Sequence, residues 1–129
     1  MFKYVAEVMY FVSDRRAAAA WYSNLFGIEI TWLENPEHFF IRVGDIDVWF
    51  HQSDSKVPSG AAGQVAYWQV VDFDAALDRS IQLGAKLYRG PLDRQDGSYM
   101  CQVTDPDGNP IGLIGPRPRV KSEVTAENE

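Results

Sequence analysis

At 129 residues, 46% hydrophobic and 23% charged, the chain has the size and composition of one globular domain, long enough to bury a core without disulfides or a structural metal. Its formal net charge of −6, with no run of Lys or Arg, repels phosphate backbones, so neither nucleic acid nor anionic membrane is expected as a partner. Cys101 is alone, no apolar stretch reaches the length of a membrane span, and Met1-Phe2-Lys3-Tyr4 leads into alternating apolar residues and not a secretory leader; a cytoplasmic protein is expected.

From the amino end, Tyr10-Phe11-Val12-Ser13-Asp14 is an apolar, β-prone run closed by an Asp that can N-cap a helix. The helix after it carries Ala18, Trp21, Tyr22, Leu25 and Phe26 at helical spacing, is favoured by Ala17 through Ala20, and stops at Gly27. Strands are predicted at 29–33, 39–43 and 46–51, with turns at Asn35-Pro36 and Gly44-Asp45. Residues 53–63 are small, polar and glycine-rich, as a linker is. The run Trp68-Gln69-Val70-Val71-Asp72 then repeats the first one, its Asp 58 positions on. Phe73, Ala76, Leu77, Ser80 and Ile81 form a second helical face that ends at Gly84. Further strands are predicted at 85–89, 99–103 and 111–114, with breaks at Gly90-Pro91, Asp96-Gly97 and Asp105-Pro106-Asp107-Gly108-Asn109. The order is βαβββ, linker, βαβββ: an α+β domain over 1–116, with modules at about 4–52 and 64–116 and a polar tail at 117–129. A plain α+β sandwich of two packed halves would use the same elements.

Trp21-Tyr22-Ser23-Asn24-Leu25-Phe26-Gly27 resembles the helix end that follows the first strand in the vicinal oxygen chelate superfamily of glyoxalases, bleomycin-resistance proteins and ring-cleaving dioxygenases. Asp105-Pro106-Asp107-Gly108-Asn109 is similar to the turn before that superfamily's last strand, and the strand-to-Asp-to-helix step occurs twice in the expected places. The resemblance covers roughly residues 4–116. It implies two modules whose open, barrel-like sheets enclose a cavity, and it implies a homodimer.

It also implies a divalent metal held by four side chains, two from each module, with positions left open for substrate oxygens. The implied positions fall on Glu7, on Trp49 or His51, on Val65 and on Gly112. Glu7 is a plausible ligand, His51 a second only if the strand is read two residues along, and Val65 and Gly112 are vacancies. A catalytic metal ordinarily takes three protein ligands, so no metal and no cofactor are expected. Strand alternation puts Met9 and Phe11 on the face of Glu7, His51 on that of Trp49, and Tyr67 and Gln69 on that of Val65. The expected lining is aromatic and apolar, with a few convergent polar groups and extra room at Gly112, as in a small-molecule pocket. Arg42 pairs with Glu7 if both face inward, and Cys101 is expected to be a buried filler.

Four functions suit this pattern. The first is metal-free sequestration of a small, partly aromatic ligand, cationic or neutral to suit an acidic protein, bound by Met9, Phe11, Trp49, Tyr67, Gln69 and Gly112. The second is a lyase or isomerase in which Glu7 is the general base and His51 or Tyr67 the acid. The third is a metal enzyme with a non-standard site drawing on Glu7, His51 and Gln64 or Gln69. The fourth is a contact-mediating subunit. In their bland reading Met9, Phe11 and Trp49 are ordinary core, His51 is a strand-edge histidine, and Glu7 is exposed because the first strand begins late.

Overall fold

Each alternating apolar run becomes a strand, and each Asp that closes one caps a helix. The computed structural model describes residues 1–118. The elements run β1 (Glu7–Val12), α1 (Arg15–Phe26), β2 (Thr31–Trp32), β3 (Phe39–Val43), β4 (Ile46–Gln52), β5 (Tyr67–Gln69), α2 (Phe73–Gln82), β6 (Lys86–Asp93), β7 (Ser98–Thr104) and β8 (Pro110–Pro116). This is the α+β, tandem βαβββ order expected. The strands form two four-stranded sheets, β1-β4-β3-β2 and β5-β8-β7-β6, each mixed and neither closed into a barrel. The chain divides into two compact units, Met1–Gly60 with Pro106–Asn109, and Ala61–Asp105 with the chain from Pro110 onward.

In the first unit Asp14 accepts a hydrogen bond from the Ala17 N–H at 3.1 Å. Gly27, left-handed at φ 68°, ends the helix by donating its N–H to the Ser23 carbonyl. Ala18, Ala19 and Tyr22 of α1 are buried against Tyr10, Val12, Phe39, Ile41, Val48 and Phe50 of the sheet. The Tyr22 ring lies 4.7 Å from that of Tyr10 and 5.2 Å from that of Phe50. Burying such a ring stabilises the fold by about 2–3 kcal/mol. The helix thus claims one parity of β1 and β4 and leaves the other for a site. The turn at Pro106–Asn109, expected to close the second module, belongs to this unit. Asp107 accepts the Ser13 N–H at 3.1 Å, and the Asn109 amide donates to the Phe11 carbonyl at 3.0 Å while its oxygen accepts the Gly60 N–H at 2.8 Å.

In the second unit Asp72 caps α2, and Phe73 and Ser80 are buried with Ala85, Cys101, Val103, Ile111 and Leu113. Ile81, expected on the buried face, is 45% exposed. It stands eight residues after Phe73, ~80° round the helix from it. The strand predicted at 85–89 runs on as β6 through Gly90-Pro91, which was expected to break it. That bond is cis, and the register against β7 shifts between Leu87 and Arg89 and again between Arg89 and Leu92. Arg117, expected in the polar tail, is anchored: its guanidinium grips Asp74 at 3.0 Å and lies 4.4 Å from the Tyr99 ring centroid. The rest of the expected tail, from 119 on, lies outside the described residues.

Cys101 is 2% exposed, and burial pushes its thiol up to about 11 from an ordinary value of 9.0. Below pH 9 the thiol is neutral in both folded and unfolded chains and costs nothing. Between 9 and 11 only the unfolded chain releases the proton, so stability should fall as pH rises through that window. Urea midpoints measured across it should decline in the wild type and decline less in Cys101→Ala. Equal slopes in the two proteins would refute the assignment.

Candidate functional site

The free face of the first sheet carries Glu7, Met9 and Phe11 from β1 and Asp47, Trp49 and His51 from β4, paired in that order by the parallel register. Arg42 of β3 lies opposite Asp47 and binds it at 2.9 Å, and so does not reach the Glu7 partner anticipated for it. Glu7 is exposed, as its bland reading held. Glu7 and His51 are not brought together. His51 lies beside Phe11, four residues along from Glu7, or ~13 Å of strand. An acid–base pair made of those two groups would not meet on one small substrate.

The structure gathers a different set. The β3–β4 ladder is in register only as far as Ile41↔Val48. The next residues of β3 pair with the short β2 on its other edge, at Thr31↔Phe40 and Trp32↔Phe39. A cleft of about 350 Å³ is lined by Met9, Arg15, Glu37, His38, Trp49, Phe50, His51 and Gln52. Trp49 is half-buried, and its ring stacks on Phe40 at 4.9 Å. Both histidines of the chain are on the wall. The His51 Nδ1 is 2.9 Å from the Gln52 carbonyl oxygen. A carbonyl only accepts, so Nδ1 carries the hydrogen and Nε2 is the ring's other polar atom.

The opposite wall is the β2–β3 loop. Asn35 caps it, its side chain accepting from the Glu37 N–H at 3.0 Å and its carbonyl from the His38 N–H at 2.9 Å. The Glu37 carboxylate then sits between two guanidinium groups, Arg15 at 3.4 Å and Arg16 at 3.2 Å. Arg15 also donates to the Glu37 carbonyl at 3.0 Å and lies 5.0 Å from the Phe39 ring centroid. Met9, Trp49 and His51 were anticipated on the wall. Arg15, Glu37, His38 and Gln52 were not. The signal was the pair Arg15-Arg16 in the first turn of a helix with no acidic residue there, where cations oppose the helix dipole.

The second sheet places Tyr67 and Gln69 on one face of β5, as alternation requires, with Tyr67 opposite Gly112. Gly112 does not add room. A Cβ there would stand 2.5 Å from two Tyr67 ring carbons, so the ring already fills the vacancy. The Gln102 amide donates to the Tyr67 hydroxyl at 3.0 Å and holds the ring down.

These residues do not fit the metal that the resemblance implies. In the first module the implied positions supply one carboxylate, Glu7, and a choice of Trp49 or a distant His51. In the second module they supply Val65 and a glycine covered by a ring. Among the described residues no three His, Cys, Asp or Glu side chains converge where a metal ion could be held, and a catalytic site takes about three protein ligands.

Comparison with known proteins gives a consistent fold. The model of the Glyoxalase/Bleomycin resistance protein/Dioxygenase superfamily matches residues 4–113. No curated protein sequence matches the chain significantly. Among solved structures, an integron cassette protein from Vibrio cholerae is 17% identical with a TM-score of 0.70, over 89% of this chain and 96% of that one. A glyoxalase/bleomycin resistance protein/dioxygenase family enzyme from Burkholderia phytofirmans is 18% identical with a TM-score of 0.71, over 85% and 96%. The fosfomycin resistance protein FosX from Listeria monocytogenes is 16% identical with a TM-score of 0.70, over 89% and 94%. At such identities the likeness concerns the fold.

Proposed function

Because the chain belongs to the glyoxalase/bleomycin resistance protein/dioxygenase superfamily yet its donor set does not fit the metal, we propose that it binds and sequesters a small, partly aromatic molecule without a catalytic metal. The observation that carries this reading is the cleft at the end of β4. There Trp49, backed by Phe40, stands in a cavity of about 350 Å³ beside Met9 and a few polar groups. That volume is at the lower end of small-molecule sites, and supported aromatic walls with sparse polar groups are their usual lining.

In this reading the protein works in the cytoplasm as a homodimer, with neither nucleic acid nor membrane as partner. Support comes from the lone thiol, the net charge of −6 and the exposed apolar side chains Leu87, Tyr88 and Leu92 on edge strand β6. No helix among the described residues is long and apolar enough to cross a membrane.

Native mass spectrometry of the protein purified without added metal tests the proposal, because one spectrum reports oligomer mass, metal and any retained molecule. A dimer carrying an organic mass is the expected result, and one equivalent of divalent metal per chain would overturn it. Trp49→Ala should weaken binding of the retained molecule about ten-fold, the size of one lost ring stack with its buried area. Calorimetry of the two proteins with that molecule checks it.

A further inference from the structure

The one carboxylate among the residues that line the cleft is already engaged by arginines, while Arg15 on the same wall keeps donors to spare. We infer that this site, on the reading that it binds a small molecule at all, takes a flat apolar molecule carrying an anionic head, such as an aromatic carboxylate. The protein as a whole is acidic at −6, which by itself favours a cationic or neutral ligand. Charges more than about 8–10 Å away are screened at physiological salt, so the local set decides.

Locally, Glu37 is the one carboxylate of the lining, and it is already bound by both Arg15 and Arg16. Arg15 and Arg16 together exceed Glu37 by one charge, and Arg15 is the arginine of that pair that lines the cleft. Asp54 accepts the Lys56 and Val57 N–H groups of its own turn at 2.8 Å each and lies within electrostatic reach of His51, so Arg15 and not His51 carries the assignment.

Arg15 is the residue best placed to meet the head. Its side chain is 30% exposed, and two of its contacts, to the Glu37 carbonyl and carboxylate, leave further N–H donors available. Its location is also locally unfavourable. The second helix obeys the dipole, with Asp74 in its first turn and Arg79 in its last, whereas the first opens on two arginines. Residues that break a local rule concentrate at functional sites. The apolar half of the ligand would lie on Met9 and Trp49, and the head would face Arg15.

Three probes of one ring system decide it: 2-naphthoate, 2-naphthalenemethanol and 2-naphthylmethylammonium, titrated calorimetrically into the full chain. Naphthoate should bind about ten-fold or more tightly than the other two, as a charge-assisted hydrogen bond provides, and its advantage should shrink at high salt. Arg15→Gln should bring naphthoate to within about two-fold of the alcohol. Equal binding of all three probes, or tighter binding of the ammonium, overturns the anionic-head assignment and leaves small-molecule binding standing. Failure of all three to bind overturns both.

Discussion

Gly115→Ala should destabilise the protein by about 3 kcal/mol or more, a large share of the 5–15 kcal/mol that holds a domain of this size together. Gly115 is buried in β8, opposite Tyr99 of β7. A Cβ at this position would land on the Val70 carbonyl oxygen, with the Val70 Cγ2 at 2.9 Å and its carbonyl carbon at 3.1 Å. These atoms are mostly main chain, and Val70 is not free to retreat, because its N–H donates to the Ile114 carbonyl at 2.8 Å. Relief requires either moving β5 off β8 or losing that bond. Extra methylenes in a packed core commonly cost about 1–3 kcal/mol, and backbone neighbours put this case at the upper end. Urea unfolding followed by circular dichroism measures it. A midpoint unchanged within error would mean that the strands do not approach so closely.

The parts of the fold set by near neighbours were legible in the sequence. Asp14 and Asp72 cap helices because a carboxylate needs only the N–H three residues on. Gly27 ends one for a reason equally local. Alternation groups Met9 with Glu7 and His51 with Trp49, and the resemblance, which puts Glu7 and Trp49 at implied ligand positions, is what turns that face inward. What depended on register between distant strands was not legible. Arg42 meets Asp47 and not Glu7 because β3 pairs with β4 at that point. The separation of Glu7 from His51 is likewise a matter of β1–β4 register. The cleft brings Arg15 of α1 and Glu37 and His38 of the β2–β3 loop together with residues 49–52 at the end of β4. No periodicity encodes which loop meets which strand end. The arginines of the first helical turn carry no periodic signal, since a helix accommodates them at small cost.

Gly112→Glu, which restores the carboxylate of the superfamily pattern, should lower stability by about 2 kcal/mol and should not create a metal centre. The sequence alone suggests the opposite, an empty ligand position waiting to be refilled. Yet a Cβ at Gly112 stands 2.5 Å from the Tyr67 Cγ and Cδ2 and 2.8 Å from its Cε2. The ring must leave before any side chain can enter. Leaving breaks the hydrogen bond from Gln102 and uncovers the packed face of the ring. The variant would still have Val65 at one implied position and Trp49 at another, short of the three protein ligands that a catalytic metal takes. Calorimetric titration with Zn²⁺, Mn²⁺ and Ni²⁺, alongside thermal unfolding, separates the two effects. Gly112→Glu should show a lower Tm and no stoichiometric uptake. The double variant Gly112→Glu with Tyr67→Ala should recover part of the Tm, because the clash is gone, and still take up no metal. One equivalent bound by the double variant would mean that Tyr67 alone keeps the metal out.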